Sequence, residues 1–179
     1  MLKCSRMAIP QKIIKFLDKK KVKCEIIKHK TVYTAFDKAA TLRVPPKIVG
    51  KTVLVKLDKN PALVLIPANK NLDKQKLKKI AKAKNIDAST GSASTLSSCR
   101  RIDFIKEAWM KKNLKGIKIG AVPPFGNLWK MPSFIDRGLL NNQKIIVNSG
   151  DYVFSIKISP SAFKKIIPDM VIGNFSKPR

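Results

Sequence analysis

The sequence contains a single histidine, His29, and only three cysteines, which are widely spaced at Cys4, Cys24 and Cys99. A nucleophilic site that pairs serine or cysteine with histidine would depend on this one histidine, and its flanking residues match no known arrangement of that kind. A lone histidine near a strand end is more often structural. The odd number of cysteines, without a C-x-x-C pair, favours thiols over a disulfide framework and so indicates a reducing compartment.

Acidic residues are also scarce, since 11 Asp and Glu stand against 38 Lys and Arg among 179 residues. With so few carboxylates and no cluster of histidine or cysteine, the sequence predicts neither a metal site nor a cofactor. The motifs G-x-x-x-x-G-K-[ST] and G-x-G-x-x-G, which cradle nucleotide phosphates, are missing. No window approaches the roughly 18 apolar residues of a membrane-spanning helix, and no apolar run of secretory length is present, so we expect a cytoplasmic protein without a membrane partner.

What the chain does have is a formal charge of +27. Such an excess favours a polyanionic partner such as a nucleic acid, although charge provides affinity and does not identify the ligand. The alternative is that the lysines merely solvate the surface. Because 44% of the residues are hydrophobic, the sequence predicts one globular domain with a substantial core rather than a disordered basic tail.

Apolar spacing and turn signals divide the chain into helices and strands. Helices are predicted over residues 11–20, 73–84, 100–112 and 160–167, with another that begins after Thr34 and stops before Pro45-Pro46. Strands are predicted over residues 22–28, 51–57, 62–67, 116–122, 133–136, 144–148 and 152–158. The segment 88–98 is predicted to be a loop, and the residues after Pro168 a loose tail. This order predicts an α+β domain with a mixed, curved sheet.

Lys51 is placed by strand alternation on the same face as Val53, Val55 and Leu57, a face that we expect to be buried. A buried ammonium without a partner is costly, so one explanation is an anionic ligand at this position. The other is a lysine at a strand end whose stem is buried while its ammonium reaches water. The spacing alone leaves both explanations open.

The segment Gly120-Ala121-Val122-Pro123-Pro124-Phe125-Gly126 is the second candidate. Its glycines free the backbone and its two prolines stiffen it, so backbone N–H groups could form a preorganised oxyanion site here. The alternative is a structural loop between strands. The pairing with Lys51 favours a site built from backbone amides and one cation.

In the order and spacing of these landmarks, the chain resembles the family of YbaK and the prolyl-tRNA synthetase associated domain. These are single-domain aminoacyl-tRNA deacylases that edit mischarged tRNA in trans. The resemblance covers residues 25–168, and it implies a mainly antiparallel, barrel-like sheet surrounded by helices, with an N-terminal helix and lead-in over residues 1–24 and a C-terminal tail over residues 169–179. The matching landmarks are His29 to Ala40, Gly50-Lys51-Thr52, Ala62 to Pro67, the G-x-x-x-P loop from Gly120 to Pro124, Phe134-Ile135-Asp136, Gly150, and Ser159-Pro160 to Ile167.

In that family the lysine and the G-x-x-x-P loop bind the 3′-terminal adenosine and the aminoacyl ester. The resemblance implies that no protein nucleophile is needed, because water or a substrate group attacks the ester. The catalytic positions that it implies are Lys51, Gly120, Ala121, Val122, Pro123 and Pro124. The substrate-binding positions that it implies are Thr34, Phe125, Gly126, Asp136 and Gly150.

Two basic segments are predicted to contact RNA phosphates, and binding should then weaken steeply with salt. Their lysines are Lys74, Lys76, Lys78, Lys79 and Lys82 in the predicted helix 73–84, and Lys111 and Lys112 further along the chain. The expected partner is the aminoacylated 3′ end of a tRNA, and an aminoacyl-tRNA synthetase is a candidate second partner.

The leading hypothesis is a hydrolase that removes a small amino acid, such as Ala, Cys, Ser or Thr, from mischarged tRNA-Pro or tRNA-Ala. One alternative is a non-catalytic RNA-binding module of the same fold. A third hypothesis, an interaction domain whose lysines bind an anionic protein or a membrane, predicts no dependence on the tRNA 3′ end.

Overall fold

The computed structural model describes residues 9–83 and 99–179, and the strands in these residues form three sheets. The strands are β1 Cys24–Lys28, β2 Gly50–Leu57, β3 Asn60–Pro67, β4 Lys70–Leu72, β5 Ile102–Phe104, β6 Ser133–Asp136, β7 Ile145–Asn148, β8 Phe154–Ile158, β9 Val171–Gly173 and β10 Ser176–Pro178. The α-helices are α1 Gln11–Lys19, α2 Ala35–Thr41, α3 Lys74–Ala83, α4 Glu107–Asn113, α5 Arg137–Leu140 and α6 Pro160–Ile166, with short 3-10 helices at Pro46–Ile48 and Gly126–Leu128.

The largest sheet has five strands in the order β5-β2-β3-β6-β9. Strands β2 and β3 form the predicted antiparallel hairpin, and Asp58 in its turn has a φ of 56°. Lys51 pairs with Ile66, at the end of the hairpin away from that turn. Strand β6 pairs with β3 in parallel, and β9 pairs with β6 in parallel, so the sheet is mixed.

A second, antiparallel sheet has the order β1-β8-β7, and β4 pairs with β10 in a third. A single parallel bridge between Val49 and Ile146 joins the start of the hairpin to the second sheet. The predicted class, an α+β domain with a curved, mainly antiparallel arrangement of strands, is therefore confirmed, although the strands do not close into one barrel.

Residues on both faces of the hairpin belong to buried apolar clusters. One face packs Val55, Val64 and Phe134 against Leu77 of α3. The opposite face packs Leu54 and Leu63 against Leu114, Val122 and Met131. Full burial of one such side chain contributes about 1.5–3 kcal/mol, so the contact between Leu54 and Val122 holds the loop after residue 118 against β2.

Two predicted helix starts are confirmed by their capping bonds. The side chain of Thr34 accepts a hydrogen bond from the backbone N–H of Asp37 at 3.1 Å. The side chain of Ser159 accepts one from the N–H of Ala162 at 3.2 Å, and Pro160 occupies the first helical position.

Two predictions in the middle of the chain were wrong. Residues 100–112 do not form one helix, because Ile102–Phe104 pairs as a strand with β2 and the helix begins only at Glu107. Residues 116–122 do not form a strand, because they turn instead of extending, and both Gly116 and Gly120 have a φ of 79°. The predicted loop 88–98 lies outside the described residues.

The prediction of a loose C-terminal tail was also wrong. Strand β9 extends the largest sheet, and Phe175 is fully buried against Phe134. The chain therefore folds to its last residues, and this brings Arg179 back toward α2, where its guanidinium carbon lies 5.4 Å from the ring of Phe36. Among the helices of the described residues, none combines the length and the apolar character needed to cross a bilayer.

Candidate active site

A cleft of about 390 Å³ opens where the start of β2 meets the loop after residue 118. Its walls come from the N-terminal end of α2, the first half of β2, the segment that joins β5 to α4, the loop, and the end of β7. The lining residues are Tyr33, Thr34, Ala35, Lys51, Thr52, Val53, Leu54, Phe104, Ile105, Glu107, Met110, Ile119, Gly120, Val122 and Asn148. Lys51 and Gly120, which are far apart in sequence, thus line one cavity.

Lys51 is half-buried, and its ammonium is held by two neutral oxygens. It donates to the backbone carbonyl of Lys70 at 2.7 Å and to Oδ1 of Asn71 at 3.3 Å. Burial lowers the pKa of Lys51, and the positive charge of Arg179 lowers it further. Among the described residues it has no carboxylate partner within 4.0 Å, so no acidic side chain there neutralises its charge.

The next residue, Thr52, has a buried hydroxyl that makes no hydrogen bond within the described part of the chain. A buried polar atom without a partner costs about 1–3 kcal/mol, so such atoms are rare in native proteins. Because Thr52 lines the cleft, a ligand oxygen or a bound water there would satisfy this hydroxyl.

The loop is fixed to the end of β7 and the residues after it through its own carbonyl groups. Asn148 Nδ2 donates to the carbonyls of Gly120 at 3.2 Å and Val122 at 3.3 Å. Gly150 N–H donates to the carbonyl of Ala121 at 2.9 Å, and the hydroxyl of Tyr152 donates to the carbonyl of Ile119 at 2.8 Å. Four successive carbonyls of the loop are thereby bound by residues 148–152.

The N–H groups of the same loop are used differently. The N–H of Ala121 closes a turn to the carbonyl of Lys118 at 3.0 Å. Those of Ile119, Gly120 and Val122 donate to no acceptor in the residues that the structure describes. A fixed backbone with unused donors beside a cavity is the arrangement of an oxyanion site.

Asn148 is itself oriented by a buried lysine. Lys38 Nζ donates to Asn148 Oδ1, and Lys38 is only 3% exposed. Burial lowers the pKa of Lys38 to about 8. Since an ammonium has donors only, it forces Asn148 to present its Oδ1 to Lys38 and its NH₂ group to the loop.

The structure brings four of the predicted site residues to the cleft, namely Lys51, Gly120, Val122 and Thr34. Six others do not line the cleft. They are Ala121, Pro123, Pro124, Phe125, Gly126 and Gly150, which are all buried. Phe125 packs between Phe16 and Phe163, and a Cβ on Gly126 would lie 2.2 Å from Ser133 Oγ, so these two positions serve packing rather than substrate contact.

Asp136 requires a correction, because it does not line the cleft. It is 2% exposed, and its carboxylate accepts hydrogen bonds from the N–H groups of Gly138, Phe175 and Ser176. The predicted substrate-binding role is therefore replaced by a structural one, which is to hold the C-terminal segment. His29 is likewise structural, since Nδ1 lies 2.8 Å from the carbonyl of Lys30 and Nε2 lies 2.9 Å from Ser155 Oγ.

The predicted RNA-binding lysines lie on two helices that flank the cleft. Lys74, Lys76, Lys78, Lys79 and Lys82 are on α3, and Lys111 and Lys112 are on the exposed side of α4. Lys74 reaches the mouth of the cleft, where its ammonium lies 4.2 Å from the ring centre of Phe104.

Sequence reasoning missed four residues that shape the site: Thr52, Glu107, Asn148 and Lys38. Thr52 belongs to the matched motif Gly50-Lys51-Thr52, and its position next to Lys51 is the one sequence signal for its role. In sequence, Asn148 is a residue at a strand end before a turn, and Lys38 is one lysine among the many of this chain. Only the tertiary contact between these two shows that they act together.

A cleft with one ammonium, an unsatisfied hydroxyl and unused backbone donors is suited to a ligand that is anionic and carries a reactive carbonyl. The sequence match identifies the family. Residues 29–93 and 87–166 match the aminoacyl-tRNA editing domain, so the chain belongs to that family. None of the curated proteins matches the sequence.

Two solved structures share the fold. The "hypothetical protein APE2540" is 19% identical, with a TM-score of 0.72 over 93% of this chain and 99% of that chain. A protein described as "a putative trans-editing enzyme for prolyl tRNA synthetase" is 15% identical, with a TM-score of 0.72 over 93% of this chain and 96% of that chain. At these identities the likeness shows the fold alone.

Proposed function

We propose that the protein is a trans-editing deacylase, which hydrolyses the ester between a small amino acid and the 3′-terminal ribose of a mischarged tRNA. The observation that carries this proposal is the meeting of Lys51, the unsatisfied hydroxyl of Thr52 and the unused N–H groups of the loop in one cleft. Membership of the aminoacyl-tRNA editing family supplies the substrate class.

The charges of the cleft match the two charged ends of such a substrate. Among the described residues that line it, Lys51 is the one ammonium and Glu107 is the one carboxylate. The terminal phosphate and ribose region would lie beside Lys51, which positions the ester rather than transferring a proton. The free α-ammonium of the amino acid would lie toward Glu107.

The reaction needs no protein nucleophile. Water attacks the ester carbonyl, and the negative charge that develops on its oxygen is stabilised by the N–H groups of Gly120 and Val122. As the acyl–oxygen bond breaks, the leaving ribose oxygen takes a proton, and the products are a free amino acid and an intact tRNA end. One well-placed donor of this kind contributes about 100- to 1,000-fold in rate. A ribose hydroxyl or the amino acid's own side chain orients the water.

The amino acid should be small, such as Ala, Cys, Ser or Thr. The tRNA that carries it in error should be tRNA-Pro or tRNA-Ala. Leu54 and Val122 line the cleft and belong to one apolar cluster, so they offer an apolar surface to a small side chain. Synthetase pockets distinguish small side chains poorly, because one methylene is worth only about 1–3 kcal/mol, so a separate editing site is useful for these errors.

The direct test measures release of labelled amino acid from Ala-, Cys-, Ser-, Thr- and Pro-tRNA by the wild type and by Lys51→Ala. Lys56→Ala is the matched control, because Lys56 lies on the same strand and does not line the cleft. The proposal predicts selective release of one amino acid, lost in Lys51→Ala and retained in Lys56→Ala. If no ester is cleaved while tRNA still binds, the protein is instead a non-catalytic RNA-binding module.

A further inference from the structure

The mouth of the cleft is rimmed by aromatic side chains that the fold leaves in solvent. In residues 9–83 and 99–179, the large hydrophobic side chains that are exposed are Tyr33 at 68%, Phe104 at 55% and Phe36 at 46%. Tyr33 and Phe104 line the cleft, and Phe36 follows Ala35, which also lines it. Single exposed apolar residues need no explanation, but two exposed rings that line one cavity, with a third beside a lining residue, do.

Each exposed ring stands beside a cation or a fixed aromatic neighbour. Lys74 Nζ lies 4.2 Å from the ring centre of Phe104, and the guanidinium carbon of Arg179 lies 5.4 Å from that of Phe36. Tyr33 packs edge to face on Tyr152, with ring centres 4.9 Å apart. The hydroxyl of Tyr152 is anchored on the loop carbonyl of Ile119, so this pair holds its orientation without a ligand.

Exposed aromatic faces combined with nearby cations are the features by which proteins bind single-stranded nucleic acid, since bases stack on the rings and phosphates meet the cations. We infer that Tyr33 and Phe104 form a stacking site for unpaired nucleobases, with the adjoining phosphates held by Lys74 and Arg179. Lys118 contributes less, because its ammonium is already bound to Asp151 at 2.7 Å.

The occupant that fits is a single RNA strand rather than a duplex or a protein. A duplex hides its base faces in its own stack, so it has nothing to offer the two rings, and a net charge of +27 favours an anionic partner over an ordinary protein surface. The inference rests on the proposed function in one respect, which is that the strand would be the unpaired 3′ end leading into the cleft.

The test is fluorescence anisotropy with a labelled single-stranded RNA of roughly six nucleotides and with a blunt duplex of the same sequence. Tyr33→Leu and Phe104→Leu should each weaken binding of the single strand by about tenfold, which is the range measured for loss of one stacked base. Duplex binding and the salt dependence of both should stay unchanged, because no charge is removed.

Trp129→Leu is the matched control. Like Phe104, Trp129 has a lysine near its ring, since Lys12 Nζ lies 5.5 Å from the ring centre. Trp129 lines a separate groove together with Trp109. This variant should bind the single strand as the wild type does. Retained duplex binding, with an unchanged melting temperature, shows that each rim variant is folded.

The inference is overturned if the rim variants bind the single strand as tightly as the wild type, or if they lose duplex and single strand equally. It is also overturned if they lose only self-association, or only binding to vesicles of anionic lipid, since the rim would then be an interface of another kind. Because the readout is binding, a wild type that cleaves no ester while the rim variants lose the single strand would contradict the proposed function and leave this site standing. If the wild type cleaves the ester and the rim variants bind the single strand as tightly as the wild type, the proposed function stands and the stacking site is overturned.

Discussion

Two lysines near the same cleft, Lys38 and Lys51, show how burial and partners decide what an ammonium does. Lys38 is 3% exposed and donates to one side-chain amide oxygen, that of Asn148. Lys51 is half-buried and donates to two neutral oxygens, those of the Lys70 carbonyl and the Asn71 side chain. In the described part of the chain neither has a carboxylate partner within 4.0 Å.

The difference is one of access. Lys38 lies behind the loop, where no ligand enters, so its charge can act only through Asn148 on the loop carbonyls. Lys51 lines the cleft, so its charge can act on the ligand itself. Under the proposed function, the pair would separate two tasks, which are shaping the loop through its carbonyls and holding the substrate beside it.

The largest expected effect comes from the lysine in the cleft. Replacing Lys51 with Ala should lower kcat/KM for deacylation by about 100-fold, because a misplaced ester loses its alignment with the loop. Steady-state rates with the preferred aminoacyl-tRNA measure this, with Lys56→Ala as the control. Equal losses in both variants would show that only general basicity matters.

Removing Asn148, which connects Lys38 to the loop carbonyls, should have the next largest effect. In Asn148→Ala the carbonyls of Gly120 and Val122 lose their donor, so the loop should shift and kcat should fall by about 10- to 100-fold with little change in KM. Asn142→Ala is the matched control, since Asn142 bonds the carbonyls of Gly138 and Leu139, away from the loop. A larger change in KM than in kcat would contradict the loop-positioning role.

The burial of Lys38 should change how the free energy of unfolding depends on pH. Its pKa is about 8 in the folded protein and near 10.5 when unfolded, so between these values the unfolded state binds more protons. The free energy of unfolding of the wild type, minus that of Lys38→Met, should then rise with pH from about 8 to 10.5, with a slope of at most about 1.4 kcal/mol per pH unit. Chemical denaturation across this range measures the difference, and a flat result would mean that Lys38 is not desolvated.

The smallest effect is expected on the opposite wall of the cleft. Glu107 is exposed, so Glu107→Gln should raise KM for the aminoacyl-tRNA by about two- to fivefold, as befits an exposed charge pair, and leave kcat nearly unchanged. Glu25→Gln is the control, because Glu25 pairs with Lys157 away from the cleft. An unchanged KM would leave the α-ammonium without an assigned partner.

Sequence reasoning reached Lys51 and the loop because both have local signals, an alternating strand and a Gly-Pro segment. It also predicted the hairpin and the helix caps, whose signals lie within a few residues. It failed where the signal is tertiary. The segment 116–122 has strand-like spacing, but its carbonyls bond to Asn148, Gly150 and Tyr152, and these contacts turn it.

The same limit explains the errors at the C-terminus and at Asp136. Residues 169–179 have only short apolar runs, and they are held by contacts distant in sequence, since β9 pairs with β6, Phe175 is buried and Asp136 binds two of their N–H groups. A strand-end aspartate looks the same in sequence whether it meets substrate or backbone. For Lys38, no local pattern distinguishes a buried lysine from the many exposed ones.

The most direct measurement is amide NMR of the ¹⁵N-labelled protein with a non-hydrolysable analogue, in which an amide replaces the ester between alanine and the 3′-terminal adenosine. If the cleft is the editing site, the N–H signals of Gly120 and Val122 should shift on binding, and Lys51→Ala should weaken the interaction. Shifts confined to the groove of Trp109 and Trp129, with the loop amides unmoved, would contradict the account.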